Sequence, residues 1–563
     1  MTAGVDTIGR LFDGRYRFQL TCFQRAYAWQ APQVARLLTN LRERMEMQGP
    51  KRRYSLGRLM LARPAGSVDT ELVDGHQRLV TLTILIAVLR DLESDPTRAN
   101  ALHRLIADDT LPPHDPRCHR LTVQALSAPL FEHLVQRRGA TESEPDGARN
   151  TLSESERNIV DNRDLMRSEF VGPDVSEAFR REFVEFLLKC CSVATLTMED
   201  HEEAWNFIAT EQETGMRFSL ADEAKATLLS AMDKSDRPAG ARLWEAAEAL
   251  LNPTDTYRLL SHIGAIEWRA RAHHGRRIEL ELIREKSIET RGLQFLCDQF
   301  VPFAQMLHDI RHGNIGADDN DRAAIAQRIE FLSWIDRDCH PDNWVPAVLK
   351  WIQVRGRTAP DTYAFMFGLE RLVWLMQIAA VDPGVQETRL LDLLSEIDSG
   401  AAPEEFSRLR IEPKLREAAI KRLAGKNFGA LNSISPHVLR KLSILSGSDP
   451  GPKKQHEATF EHVLPKGTRI HTSWRRAFPK PEFARDYCQR LGNIVLLSGE
   501  DNNRADSMSW EDKRVYFARS QFVLAREACV EPEWTPATID RRTKMLINRL
   551  LKDWKLEPIE TLP

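Results

Sequence analysis

The chain has 563 residues, 42% hydrophobic and 28% charged, with a net charge of −3. This is the composition of a folded globular protein of two to four domains, which excludes a disordered chain and a histone-like coat of positive charge. The longest apolar runs, such as Leu82 to Leu89, are far too short to cross a membrane. No basic region followed by an apolar block opens the chain, so a cytoplasmic protein with no membrane partner is expected.

Residues 1–250 mix short strands with helices. Gln24, Arg25, Tyr27 and Trp29 crowd hydrogen-bonding and stacking groups into one short segment. Arg25 suits a phosphate, while Tyr27 and Trp29 alternate on one face and either stack on a base or pack into the core. Further on, Leu72-Val73 ends a strand and Asp74-Gly75 signals a turn. His76-Gln77-Arg78 then opens an amphipathic helix through Leu92, with apolar positions Leu79, Leu82, Leu85, Val88, Leu89 and Leu92. A strand, a glycine turn and a helix N-terminus together make an anion site, because the first-turn amides and the helix dipole face outward. Arg78 adds a bidentate grip there, and Asp74 holds a metal or orients the arginine. Spacing alone favours a plain tight turn with a surface arginine. The polar, acidic stretch Ala140 to Asn158 reads as an exposed loop.

Residues 251–430 are almost entirely helix-patterned, for example over Ala323 to Ile335, Thr362 to Ile378 and Gln386 to Ile397. Ser446 to Pro452 is dense in turn residues and reads as a linker. In the third region, 431–563, Ala458 to Leu464 and Asn493 to Leu497 read as strands. Trp510 to Leu524 reads as a helix with Ser509 as N-cap. The eight cysteines (Cys22, Cys118, Cys190, Cys191, Cys297, Cys339, Cys488, Cys529) form no Cys-x-x-Cys pair and read as free thiols. Cys118-His119 with His114, and Cys339-His340, lack the second ligand pair of a zinc site.

The third region carries the chemistry. Phe460-Glu461-His462-Val463-Leu464-Pro465, Leu491-Gly492-Asn493-Ile494 and Asn502 have the order that a one-metal HNH nuclease requires. His462 is the candidate general base that activates water. Glu461 and Asn502 are candidate ligands of a hard cation, magnesium or manganese, which takes charge developing on phosphate. Asn493 is the candidate brace of the loop that aims the histidine. Lys513 either steadies the scissile phosphate or pairs within the fold. Residues 451–490 hold nine Lys or Arg against four Asp or Glu, a local excess suited to a polyanion. A solvated basic loop has the same composition.

Together these segments resemble a known family. Gln24 to Trp29, Tyr54-Ser55-Leu56-Gly57 and Val73 to Leu82 are similar to the YQRxYxW, YxLG and DGQQRLTTL signatures of the front domain of GmrSD-type proteins. Phe218 to Lys225 is similar to a later segment of that domain, ending here in Asp222 and Lys225. EHVLP, LGNIVLL, Asn502 and Lys513 resemble the HNH-like domain that follows it. The resemblance covers roughly residues 10–235 and 455–525. The departures are His76 for the first Gln of DGQQR, Thr21 and Phe23 for Pro and Tyr before QR, and Gln212 for an Asn before Gly215.

The resemblance implies an α+β multidomain chain. A ParB/sulfiredoxin-like NTP-binding domain would span 1–250, a helical coupling region 251–430, and a ββα-metal (HNH) nuclease domain 431–563. It implies an NTP (GTP, ATP or CTP) at Asp74, Gly75, Gln77 and Arg78, with Gln24 and Arg25 facing the same pocket. The implied function is a bacterial anti-phage endonuclease, akin to type IV restriction systems, regulated by NTP. Its relatives act on modified phage DNA, such as DNA bearing glucosylated hydroxymethylcytosine or phosphorothioate linkages. Cutting both strands with one HNH site per chain would suit a homo-oligomer. The alternative is a DNA-modification sensor or NTPase regulator that does not itself cleave.

Overall fold

The structure is a computed structural model that describes residues 2–20, 24–47, 53–64, 66–112, 115–124, 126–145, 149–172, 175–199, 220–233, 235–269, 278–286, 291–336, 342–430, 434–447, 458–466, 473–505 and 508–563. Phe23, Gln212, Gly215, Phe218, His114, Cys339-His340 and the linker from Ser448 to Pro452 lie outside the described residues. The fold is mixed α and β. Contacts divide the chain into two compact units, 1–261 with 275–305, and 262–274 with 306–563. The helical stretch 251–430 is therefore shared between them. No helix among the described residues is long and apolar enough to cross a membrane.

The first unit is built on a six-stranded mixed sheet of β1 (Thr2–Thr7), β2 (Arg17–Leu20), β3 (Tyr54–Ala62), β4 (Asp69–Asp74), β5 (Leu121–Thr122) and β6 (Cys191–Met198), in the order β1-β6-β3-β4-β2-β5. β3 runs parallel to β6 and antiparallel to β4, with Leu61 opposite Leu72. The helix His76–Asp91 starts directly after β4, where Gly75 takes φ 95°. It is buried on all sides, from Leu79 to Arg90. The sequence pattern pointed to a surface helix with one apolar stripe. Val80, Ile84, Ile86 and Ala87 fill the remaining face, and a helix apolar all round belongs in a core.

The stretch Ala140 to Asn158 also departs from expectation. Ala140 and Thr141 are buried, and a capping box between Ser153 and Glu156 starts the helix Glu154–Val171. Asn158 on that helix faces inward.

The second unit packs the helices Asp319–Asp336, Val345–Arg355, Thr362–Ala379, Pro383–Asp398 and Pro413–Ala424, then Ser435–Leu445 and the final Pro536–Asp553. Its interior holds a buried ion cluster. Lys441 meets Glu370 at 2.8 Å and Asp553 at 2.9 Å, while Arg328 meets the same two carboxylates at 3.2 and 3.1 Å. Two cations against two anions leave no net charge to desolvate, and the Lys441 ammonium also sits 3.7 Å from the Phe331 ring centroid.

In this unit β7 (Ala458–His462) pairs antiparallel with β8 (Ile494–Ser498), with Glu461 opposite Val495 and His462 opposite Ile494. Both strands lie where the apolar runs place them. The expected helix Trp510 to Leu524 is instead two, Trp510–Ala518 and Val523–Ala528, because Ser520 takes the Phe522 amide and breaks the ladder. Ser509 caps the first of them, accepting from the Asp512 amide at 3.2 Å. Gly492 lets the last helix approach closely. A Cβ there would lie 2.2 Å from the Ile539 carbonyl oxygen, and its amide donates to Thr543 Oγ1 at 3.0 Å.

Candidate functional site

The β7–β8 hairpin gathers Glu461, His462, Asn493, Asn502 and Lys513 into one locale. Asn493, fully buried at the mouth of β8, is saturated with hydrogen bonds. Its Oδ1 accepts from the Leu464 amide (2.8 Å) and the Trp534 indole (2.9 Å), and its Nδ2 donates to the carbonyls of Leu464 (3.0 Å) and Cys488 (2.8 Å). Its own carbonyl accepts from the Val463 amide at 2.9 Å. The two residues after His462 are thus clamped to one residue, Val463 to its main chain and Leu464 to its side chain, which fixes where the strand ends and how the imidazole leaves it.

Glu461 and Thr459 share one face of β7, and His462, its last residue, stands at the strand's end, where the chain leaves the pleat. There His462 Nε2 lies 3.4 Å from Gln489 Oε1. The tautomer that donates from Nε2 leaves the lone pair a general base needs on Nδ1. Burial first, then the positive charge of Lys466, pushes the imidazole down to about 4. It is therefore neutral at neutral pH and able to accept a proton.

On the Glu461 face, Asn502 Nδ2 donates to Thr459 Oγ1 at 2.8 Å and to the Phe460 carbonyl at 2.9 Å. These bonds commit the amide nitrogen and keep Oδ1 available as a hard oxygen donor. The Lys513 ammonium, fully buried, pairs with the Glu461 carboxylate and donates to the His462 carbonyl at 2.9 Å. Of the two roles expected for Lys513, contact with the scissile phosphate does not match this placement, because a fully buried ammonium has no access to a ligand. It is a positioning residue. Among the described residues no three His, Cys, Asp or Glu side chains cluster to hold a metal. A cation held by Glu461 and Asn502 would take one carboxylate with amide and water oxygens. That donor set fits magnesium, which keeps several waters and needs only one or two carboxylates.

Neither motif nor spacing points to Gln489 or Trp534, which touch His462 and Asn493 from positions far along the chain. In both cases the fold alone makes the neighbour.

The turn of the first unit is equally well built. Gly75 is required, since a Cβ there would lie 2.3 Å from Leu59 Cδ2. Asp74 Oδ1 accepts from the Gly75 amide at 2.8 Å, and its other oxygen is 3.9 Å from Arg58. Arg78 crosses to donate to the Arg58 carbonyl at 3.0 Å, its guanidinium resting over Gly57. Asp74, Arg58 and Arg78, each partly exposed, form the charged mouth of the turn.

The two glutamines brace the main chain around the turn, and Gln24 Oε1 is left without a hydrogen-bond partner among the described residues. Gln24 donates to the carbonyls of Leu72 (2.6 Å) and Val73 (2.9 Å). Gln77 accepts from the amides of Ala28 (2.7 Å) and Trp29 (3.2 Å) and donates to the Ala26 carbonyl (3.0 Å). Tyr27 is buried and bonded to Thr81 and Asn162, so packing is its fate. Arg25 lines a cavity. Lys225, fully buried, donates to the Gln24 carbonyl at 2.8 Å and pairs with Glu245 at 3.4 Å. His76 Nε2 lies 2.7 Å from Gln77 Nε2. Burial, and then the charges of Arg25 and Lys225, hold its imidazole down at about 3.

Comparison with known proteins bears on both sites. Residues 8–229 match the family model described as the GmrSD restriction endonuclease, N-terminal domain. Residues 416–549 match the one described as the GmrSD restriction endonucleases, C-terminal domain. No curated protein matches the chain.

Proposed function

Because the chain carries both domains and so belongs to the GmrSD-type restriction endonuclease family, we propose that its restriction-type DNA cleavage is performed at His462 and regulated by a nucleotide at the Asp74–Arg78 turn. The observation that carries this reading is the pairing of a neutral, proton-accepting His462 with the Asn493 clamp on the residues that follow it.

His462 Nδ1 takes the proton of the attacking water. The free imidazole is a weak base at about 4. Lys466, exposed beside it, is one cause of that low value. A phosphodiester bound at Lys466 offsets the lysine charge and brings the imidazole closer to the working pH, which strengthens general-base catalysis. Glu461 and Asn502 would hold a divalent ion, magnesium or manganese, which supplies charge stabilisation to the phosphate when bound. Lys513 aims the Glu461 carboxylate. Exposed Arg475, Arg476, Lys480 and Arg485, between the two strands, offer the phosphate contacts that DNA affinity requires.

In the first unit the outward amides of His76–Arg78, with Arg78 and Arg58, receive the nucleotide phosphates. Anti-phage defence against modified DNA is the role this combination serves, and cutting both strands calls for more than one copy of the chain. Plasmid nicking by the purified protein, in magnesium or manganese, with and without GTP, ATP or CTP, on unmodified and modified phage DNA, tests the whole reading beside His462→Ala. Metal-dependent nicking that the variant lacks supports it. Nucleotide turnover with no cleavage of any substrate favours the sensor reading instead.

A further inference from the structure

A cavity of about 70 Å³ lies against the segment Arg25–Ala28, whose main chain Gln77 of the turn holds. It is walled by the segment Arg25–Ala28, the helix Glu154–Val171 and the helix Arg237–Leu250. Its polar lining includes Arg25, Ser155, Asn158, Glu245 and Glu248, with Tyr27 alongside. Asn158 is only 8% exposed, yet its Nδ2 has no hydrogen-bond partner among the described residues. Buried amides are almost always paired, and an orphaned one lining a cavity points to a ligand or water that completes it.

The other polar walls define that ligand. Glu245 is held by Lys225 at 3.4 Å, and Glu248 accepts from the Trp244 indole at 2.8 Å. The buried Glu245 and partly exposed Glu248 repel a phosphate and welcome hydroxyl or amino hydrogens, while the Asn158 amide seeks an acceptor. At roughly 10–15 Å³ per enclosed water the cavity takes about five waters, the size of a pentose or a single-ring base. The wall and the turn are one piece. Gln24 pins the carbonyls of Leu72 and Val73, and Gln77 accepts from the Ala28 amide and donates to the Ala26 carbonyl.

We propose that this cavity receives the sugar of the nucleotide whose phosphates meet the Asp74–Arg78 turn, with Asn158, Glu245 and Glu248 taking its hydroxyl groups. The assignment rests on the nucleotide reading of that turn. Arg25 stands at the join between the sugar and the phosphates.

Calorimetric titration of the full chain with GTP, ATP, CTP and inorganic tripolyphosphate, each with magnesium, separates the two ends. Asn158→Leu is expected to weaken the preferred nucleotide by about ten-fold or more, the worth of one buried hydrogen bond. Tripolyphosphate binding should be unchanged, which also reports a folded protein. Should Asn158→Leu lose both ligands together, it has disturbed the turn, and Glu248→Gln, which keeps the side-chain shape, decides by the same split. Nucleotide affinity equal to wild type in both variants, with tripolyphosphate bound, overturns the cavity assignment alone. A wild type that binds neither nucleotide nor tripolyphosphate overturns the reading of the turn and the cavity assignment with it.

Discussion

The ammonium of Lys513 lies on the carboxylate of Glu461, and both groups are buried in the second unit. The same ammonium donates to the His462 carbonyl at 2.9 Å, so one side chain fixes the metal-ligand candidate and the backbone of the base. Removing one partner of a buried ion pair strands the other charge, at a cost of about 3–5 kcal/mol. Lys513→Met is therefore expected to destabilise the second unit by roughly that amount. Glu461→Gln combined with Lys513→Met should cost clearly less than the two single changes added together. Denaturant unfolding of the four proteins checks this, and strict additivity would count against the coupling.

Asn493→Ala removes four side-chain hydrogen bonds at once. It leaves the Leu464 amide, the Trp534 indole and two carbonyls without their partner. With each stranded buried group costing about 1–3 kcal/mol, a loss of at least about 3 kcal/mol is expected. Cleavage should fall as well, because the residues that aim His462 are released. A crystal structure of the variant should show residues 463–464 displaced while β7 and β8 stay paired.

His462 makes stability depend on acid. The unfolded imidazole takes its proton near pH 6.5, the folded one only near pH 4. Between those values the unfolded state binds the extra proton, so stability falls as pH drops through that window and is fully present above it. The span corresponds to at most about 3 kcal/mol. His462→Gln should lose this acid-dependent part, which paired unfolding curves from pH 7 to pH 4 will show. Lys466→Ala removes one of the charges that depress the imidazole, and NMR titration should place the His462 pKa higher in that variant.

Gly75→Ala puts a methyl group where Leu59 stands and forces an alanine to φ 95°. Left-handed backbone costs a non-glycine residue about 1–2 kcal/mol before any clash. The variant should be less stable by at least that much and should bind nucleotide more weakly, since the turn that presents the helix amides is displaced. Nucleotide titration alongside thermal unfolding measures both effects. Unchanged nucleotide affinity would detach the turn from ligand binding.

Much of this was readable in advance where the signal is local. The Asp-Gly turn and the Ser509 cap stand next to the elements they start, and the apolar runs of β7 and β8 announce themselves. Burial of the helix His76–Asp91 on all sides was not readable, because alternation of Thr with Ile and Val mimics a polar face until Thr81 and Thr83 find backbone and tyrosine partners. The inward face of Asn158 was hidden by polar neighbours, although the Ser153–Glu156 capping box marks the helix start. Lys225 at the Gln24 carbonyl, Gln489 at His462 and Trp534 at Asn493 are meetings of distant segments that no spacing rule encodes.

The central claim, that His462 is the base of phosphodiester cleavage, is tested most directly by chemical rescue. Plasmid nicking is measured for wild type and His462→Ala at equal folded concentration, with and without added imidazole. A positioned base is worth about 10²–10⁴-fold in rate. The account predicts a loss of that size in the variant and partial recovery with imidazole. Nicking by His462→Ala at the wild-type rate would contradict it.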